Sequence, residues 1–150
     1  MGKRFKALIE EKGKDDFFEI LSNHPEGMEL KIENVTYPRR SHYMDEDTGK
    51  YKSNIIVTFS YSLGDMIYET PIRYNIGVVD EDNSVKLRNT TFIFKLLEFF
   101  AYQEFKGAIL VEATPEDIIN TLKGQEFIGR LDDYCNNYYV NPIEKKYEVE

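Results

Sequence analysis

Aromatic and basic residues are concentrated between positions 37 and 52, and this is the densest mixture of the two types in the chain. The group consists of Tyr37, Arg39, Arg40, His42, Tyr43, Lys50, Tyr51 and Lys52. Proteins that bind single-stranded nucleic acid use this combination, because cations follow the phosphates while each stacked ring contributes about 1–3 kcal/mol. The pattern therefore predicts a nucleic-acid-binding surface. Asp45, Glu46 and Asp47 lie in the same stretch and weaken its positive field, so a solvated face or a protein-contact surface is the alternative.

Two further groups carry the same residue types. Arg73, Tyr74, Lys86 and Arg88 follow in the middle of the chain, and Tyr138 and Tyr139 lie near its end. We expect the first group to extend the groove formed by residues 37–52, and the second group to close it from the last strand. These two groups complete the set of predicted nucleic-acid-binding residues.

Catalytic and metal-binding patterns are not apparent in the sequence. The two histidines, His24 and His42, lie in predicted turns, and Cys135 is the single cysteine. One cysteine and two histidines do not make a usual zinc site, and no phosphate loop, dinucleotide fingerprint or nucleophile elbow is present. The acidic clusters at 45–47 and 80–82 are typical of solvated turns. We therefore predict a non-catalytic protein that uses no metal and no cofactor.

Length and charge restrict the class of protein further. The chain has 150 residues, the size of one domain, and a formal net charge of −8. A negative charge argues against general adhesion to nucleic acid or anionic membrane, although it does not exclude a local basic groove. The lone cysteine indicates a reducing compartment, and no uncharged apolar run is long enough to span a membrane. These features predict a cytoplasmic protein without membrane association.

The hydrophobic periodicity predicts an α+β domain. Residues 1–24 are expected to form a helical lead-in, and residues 25–146 to contain five strands. The first three strands begin near Met28, Ile55 and Tyr68. One helix follows over FIFKLLEFFAY, and Thr114-Pro115 begins a second, since Thr is a preferred N-cap and Pro a preferred first helical residue. The last two strands cover 125–131 and 138–143. Five strands with helices between the third and fourth resemble the OB-like antiparallel barrel.

Short motifs also resemble a family of phage and prophage single-stranded DNA-binding proteins. They are Pro25-Glu26-Gly27 before the first strand, FKLLEF at 94–99, LKGQEF at 122–127, and Tyr138-Tyr139-Val140. The resemblance implies an OB-like fold, single-stranded DNA as partner, and contact with a host or replication protein or with a second copy of the chain. The alternative that fits the charge is an acidic interaction module that inhibits a host factor by imitating nucleic acid.

Overall fold

The computed structural model describes residues 7–38, 43–44 and 51–146. The helices are α1 (Lys14–Ser22), α2 (Phe92–Phe100), α3 (Tyr102–Phe105) and α4 (Pro115–Leu122). The strands are β1 (Ile9–Glu11), β2 (Met28–Thr36), β3 (Tyr43–Met44), β4 (Tyr51–Leu63), β5 (Met66–Val78), β6 (Val85–Arg88), β7 (Leu110–Ala113), β8 (Glu126–Tyr134) and β9 (Asn137–Lys145). The predicted α+β class is confirmed. Within the described residues, no helix is long and apolar enough to cross a membrane.

The main sheet has the order β1-β5-β4-β2-β8-β9, with β3 added to β4, and β6 and β7 form a separate pair. All the pairs are antiparallel except β1 with β5. Strands β2, β4, β5 and β8 lie in the spatial order β8-β2-β4-β5, so the strand that returns after the helices lies beside the first of the four. This arrangement is a Greek key.

The predicted five-stranded barrel is not closed. Among the described residues, β5 pairs with β1 and β4, and β9 pairs with β8, so β5 and β9 do not pair with each other. Helix α2 contacts both of these strands, and α1 contacts β5 and β8. The sheet is therefore open, with β1 and β9 as its edges.

The N-terminal lead-in also differs from the prediction. Residues 9–11 form strand β1 rather than a helix, because Ile9 pairs in parallel with Ile67 of β5. Pairing with a distant strand overrides the helical spacing of the local sequence. Helix α1 lies within the predicted helical lead-in, and β6 and β7 are strands that the periodicity did not indicate.

The core lies between the inner face of the sheet and the helices. Ile55, Val57, Phe59 and Tyr61 alternate along β4 and are all buried, as the period of two predicts. Phe17 of α1 stacks on Tyr61 and Phe59, at ring-centroid distances of 4.8 and 5.8 Å. The register between β2 and β4 shifts between Ile32 and Asn34. Helix α1 is thus bound to the sheet by ring packing.

Helix α4 begins as the sequence predicts. The Thr114 hydroxyl accepts from the backbone N–H of Asp117 at 3.1 Å, and the Thr114 N–H donates to the Asp117 carboxylate at 3.0 Å. Pro115 occupies the first turn. This capping box satisfies two backbone donors reciprocally, so it fixes the start of the segment that leads into β8.

Candidate nucleic-acid interface

Helix α2 lies alongside the edge strand β9, and rings from both elements meet there. Phe92 and Tyr139 stack with centroids 4.9 Å apart and an interplanar angle of 16°. Further along, the ammonium of Lys145 lies 5.8 Å from the ring centre of Phe99. These contacts place side chains of β9 next to the first and last turns of α2.

Lys95 lies close to two of the rings at this edge. Its ammonium lies 5.3 Å from the ring centre of Tyr134 and 6.0 Å from that of Tyr139, within the range of cation–π attraction. Tyr134 is 48% exposed and Tyr102 is 50% exposed, so these rings face solvent. We call this surface the ring–lysine face, and it comprises Lys95, Phe99, Tyr102, Tyr134, Tyr139 and Lys145.

The local sequence explains why these side chains share one surface. Residues three, four and seven apart lie on the same side of a helix, so Phe92, Lys95 and Phe99 form a stripe along α2. An open depression of about 590 Å³ lies between this stripe and β9, lined among others by Lys95, Phe99, Tyr102, Tyr139 and Lys145. A depression with rings and ammonium groups suits a flat, anionic ligand.

The charges at the ring–lysine face differ from those of the protein as a whole. Neither Lys95 nor Lys145 forms an ion pair within the described part of the chain, whereas the nearby Asp132 is paired with Arg130 at 3.6 Å. Asp132 also accepts a hydrogen bond from the amide of Asn141 at 3.2 Å. The two lysines can therefore attract an anion, although Glu98 lines the same depression and weakens the field.

Tyr139 remains neutral over a wide pH range. Partial burial raises the pKa of its phenol above the usual value, and the negative charge of Asp132 raises it further. The ring is half-buried, so one part packs on Phe92 while another part faces the depression. A neutral ring whose position is fixed by packing on a second ring is a suitable surface for base stacking.

A second depression, which we call the polar groove, occupies the gap between β5 and β9. Its volume is about 560 Å³, and its walls come from β5, β9 and the first turns of α1 and α2. Arg73, Tyr74, Tyr138 and Tyr139 all line it. The structure thus brings together four residues that the sequence analysis assigned to one groove from two distant groups. Tyr139 lines both depressions, so they are neighbours.

Tyr74 does not offer its ring to a ligand in this structure. It is only 6% exposed, it faces the core from β5, and burial strongly raises the pKa of its hydroxyl. The alternation of β5 explains this position, since Ile72, Tyr74 and Ile76 point inward while Arg73 is exposed. The sequence prediction of an accessible ring therefore needs correction at this residue.

Lys86 and Arg88 are exposed on β6, and neither lines the ring–lysine face or the polar groove. Lys86 instead interacts electrostatically with Asp82 in the turn that precedes β6. Hydrogen bonds from Ser84 lower the pKa of Asp82, and Lys86 lowers it by a smaller amount. The predicted association of Lys86 and Arg88 with the groove of residues 37–52 stays a prediction, because most of those residues lie outside the described part of the chain.

The residues between 37 and 52 are described only in part. Tyr37 and Lys52 are half-buried, and the backbone of Tyr43 in β3 pairs with that of Lys52 in β4. Tyr51 begins β4. Arg39, Arg40, His42 and Lys50 lie outside the described residues, as do the side chains of Tyr43 and Tyr51. Their assignment to a binding surface stays a prediction.

Sequence patterns did not predict Lys95, Phe99 and Tyr102 as functional candidates. They belong to an almost continuous apolar segment that indicates a core helix, and the interruption by Lys95 in that segment was the available signal. Among the described residues, no group of three or more His, Cys, Asp or Glu side chains could hold a metal ion.

The chain matches no protein-family model, no curated protein and no solved structure. The geometry of the ring–lysine face and the polar groove is therefore the basis for a functional proposal.

Proposed function

We propose that this chain is a non-catalytic single-stranded DNA-binding protein, and that the strand lies along the ring–lysine face. The observation that carries the proposal is that the ammonium of Lys95 lies close to the rings of both Tyr134 and Tyr139, at 5.3 and 6.0 Å from their centres. Bases stack on such rings, while phosphates are attracted to the ammonium groups beside them. The phage-type resemblance of the sequence supports the same class of ligand.

Binding of this kind would show little sequence preference. Every base has a flat face for stacking, and phosphate contacts carry no sequence information. The net charge of −8 is compatible with it because binding depends on the local field, and Lys95 and Lys145 have no carboxylate partner in the described part of the chain. The affinity should therefore fall with added salt, as counterion release requires.

The topology is compatible with an OB-like domain. A partly open five-stranded Greek-key barrel has this strand order: β2, β4, β5 and β8 form the Greek key, and β9 follows β8. In the proposal, the strand binds at the side where β5 and β9 are separated. This differs from the loop at residues 37–52 that the sequence analysis favoured, and it uses side chains that are described.

Fluorescence anisotropy with a labelled oligo-dT of about 16 nucleotides tests the proposal, since that length covers the largest site known for one OB domain. Wild-type protein should bind at low salt, and the double variant K95Q/K145Q should bind more weakly. Its slope of log Kobs against log salt should decrease by about 1.4, which is about 0.7 for each lost phosphate contact.

The control variant is K123Q, because Lys123 is an exposed lysine at the end of α4 that lines neither depression. It changes the net charge by one and should leave binding nearly unchanged. Equal losses for K123Q and for the single variant K95Q would mean that only overall charge matters. No binding of the wild type at low salt would refute the proposal.

An acidic protein-interaction module is the second candidate, and one contact favours it. The amide of Asn83 donates to the carboxylate of Glu116 at 2.9 Å, which brings the acidic turn at 80–82 next to the start of α4. Such a group of carboxylates could imitate phosphates toward a basic partner. The variant D80N/E81Q should then abolish inhibition of that partner while leaving oligo-dT binding unchanged.

A further inference from the structure

We infer that the polar groove holds one nucleotide of the bound strand. Its base is separated from the neighbouring bases and stacks on Tyr138, and its phosphate lies at Arg73. The inference rests on the proposed single-stranded DNA binding. The volume of about 560 Å³ is within the range of about 300–1,000 Å³ that is usual for small-molecule sites. The shared residue Tyr139 makes the groove a direct continuation of the ring–lysine face.

The charges of the groove suit a phosphate. Lys14 and Arg73 line it together with one carboxylate, that of Asp15, so cations outnumber acids locally in an acidic protein. Neither cation forms an ion pair among the described residues. The guanidinium of Arg73 presents a planar set of N–H donors on an exposed part of β5, and this geometry matches two phosphate oxygens.

The remaining polar groups suit the edge of a base. The side-chain oxygen of Asn75 accepts from the N–H of Gly77 at 2.8 Å, which leaves its amide group as a donor. The amide group of Asn137 donates to the carbonyl of Cys135 at 3.2 Å, which leaves its side-chain oxygen as an acceptor. Both asparagines line the groove, so it offers a donor and an acceptor to the polar edge of a base.

Tyr138 supplies the stacking surface. It is 62% exposed, and it lies on the opposite side of the β9 backbone from its neighbour Tyr139, because successive strand residues alternate. Both rings line the groove, and Tyr139 also lines the ring–lysine face, so it forms the boundary between the two. A strand that follows β9 would place adjacent bases on different sides of Tyr139, and the base in the groove would be separated from its neighbours.

Two probes separate the base contact from the phosphate contact. The first is a labelled oligo-dT of about 16 nucleotides, and the second is an oligomer of the same length with abasic sugar–phosphate units. The variant Y138A should bind oligo-dT about 5- to 150-fold more weakly and should bind the abasic oligomer as the wild type does. The variant R73Q should weaken binding of both probes and lower the salt slope by about 0.7. Both side chains are exposed, so we expect both variants to fold.

The outcomes distinguish this inference from the proposed function. If the wild type binds neither probe, the proposed function fails and the inference fails with it. If oligo-dT binds and K95Q weakens this binding, but Y138A and R73Q bind both probes normally, the strand avoids the groove and only the inference is overturned.

Titration with free dTMP tests whether the groove binds a free nucleotide instead of a nucleotide within a DNA strand. Tight dTMP binding that R73Q abolishes, with unchanged oligo-dT binding, would assign the groove to a free nucleotide and overturn the inference.

Discussion

Replacing Tyr139 by Ala should separate the stacking role of this ring from its structural role. The ring stacks on Phe92 at 4.9 Å, a contact that contributes about 0.5–1.5 kcal/mol beyond the burial of its area. The attraction to Lys95 adds little at 6.0 Å, the limit of its range. Because Tyr139 is only half-buried, we expect Y139A to lower the free energy of unfolding by about 1–3 kcal/mol. The variant should remain folded.

The effect on binding should be of similar size but of different origin. Loss of one stacked base costs about 1–3 kcal/mol, which corresponds to about a 5- to 150-fold weaker affinity for oligo-dT. The matched control is Y139F, which keeps the ring and removes only the hydroxyl. Since burial raises the pKa of that hydroxyl, it is neutral at neutral pH and contributes no charge. Y139F should therefore bind as the wild type does.

Anisotropy titrations and urea unfolding of the same preparations measure both quantities. The reasoning would be refuted if Y139A, shown to be folded by its unfolding transition, bound oligo-dT as tightly as the wild type. Tyr139 would then lie away from the strand. If Y139F lost as much affinity as Y139A, the hydroxyl rather than the ring would make the contact, and the stacking account of the ring–lysine face would be wrong.

Three other predictions concern the scaffold. T114A should destabilise the domain by about 1 kcal/mol in urea unfolding, since it removes the N-cap acceptor for Asp117, and an unchanged midpoint would contradict the importance of this cap. G129A should lower the free energy of unfolding by about 1–3 kcal/mol, because a Cβ at that position would lie 2.9 Å from a methyl group of Leu30. Stability equal to that of the wild type would mean that the core adjusts freely. Burial raises the pKa of Tyr74, so the native state keeps a proton that the unfolded chain loses above about pH 10. The free energy of unfolding should therefore fall by up to about 1.4 kcal/mol per pH unit above that point, and Y74F should show a smaller decrease; equal slopes would exclude Tyr74 as the cause.

Local patterns predicted the elements whose own residues determine them. The alternation in β2 and β4 and the Thr114-Pro115 start of α4 needed no knowledge of distant residues. Strand β1 was different, because its three residues become a strand only through parallel pairing with β5, more than fifty positions later. A helical interpretation of the same residues was locally consistent. Pairing with a distant strand of this kind cannot be inferred from a period of hydrophobicity.

The face that α2 buries was equally difficult to predict. The segment FIFKLLEFFAY predicts a helix but not its buried face, and the fully buried side chains include Ile93, Leu96 and Leu97. In a helix that is apolar on nearly every side, periodicity cannot select the buried face. The choice depends on β9 and on the neighbouring helices, which leave Phe92 and Phe99 only half-buried. For this reason the sequence did not indicate that rings of α2 contribute to the candidate site.

The open sheet and the candidate site have a common origin. A closed barrel would pair β5 with β9, and its strands would then cover the gap in which Arg73 and Tyr138 now lie. Helix α2 contacts both β5 and β9, and α1 packs beside it with Phe17 fully buried against Phe59 and Tyr61 of β4. The first turns of both helices therefore line the groove between β5 and β9. If the groove binds a nucleotide, helix α1 is part of the binding site, because it contributes Lys14 to the wall of the groove.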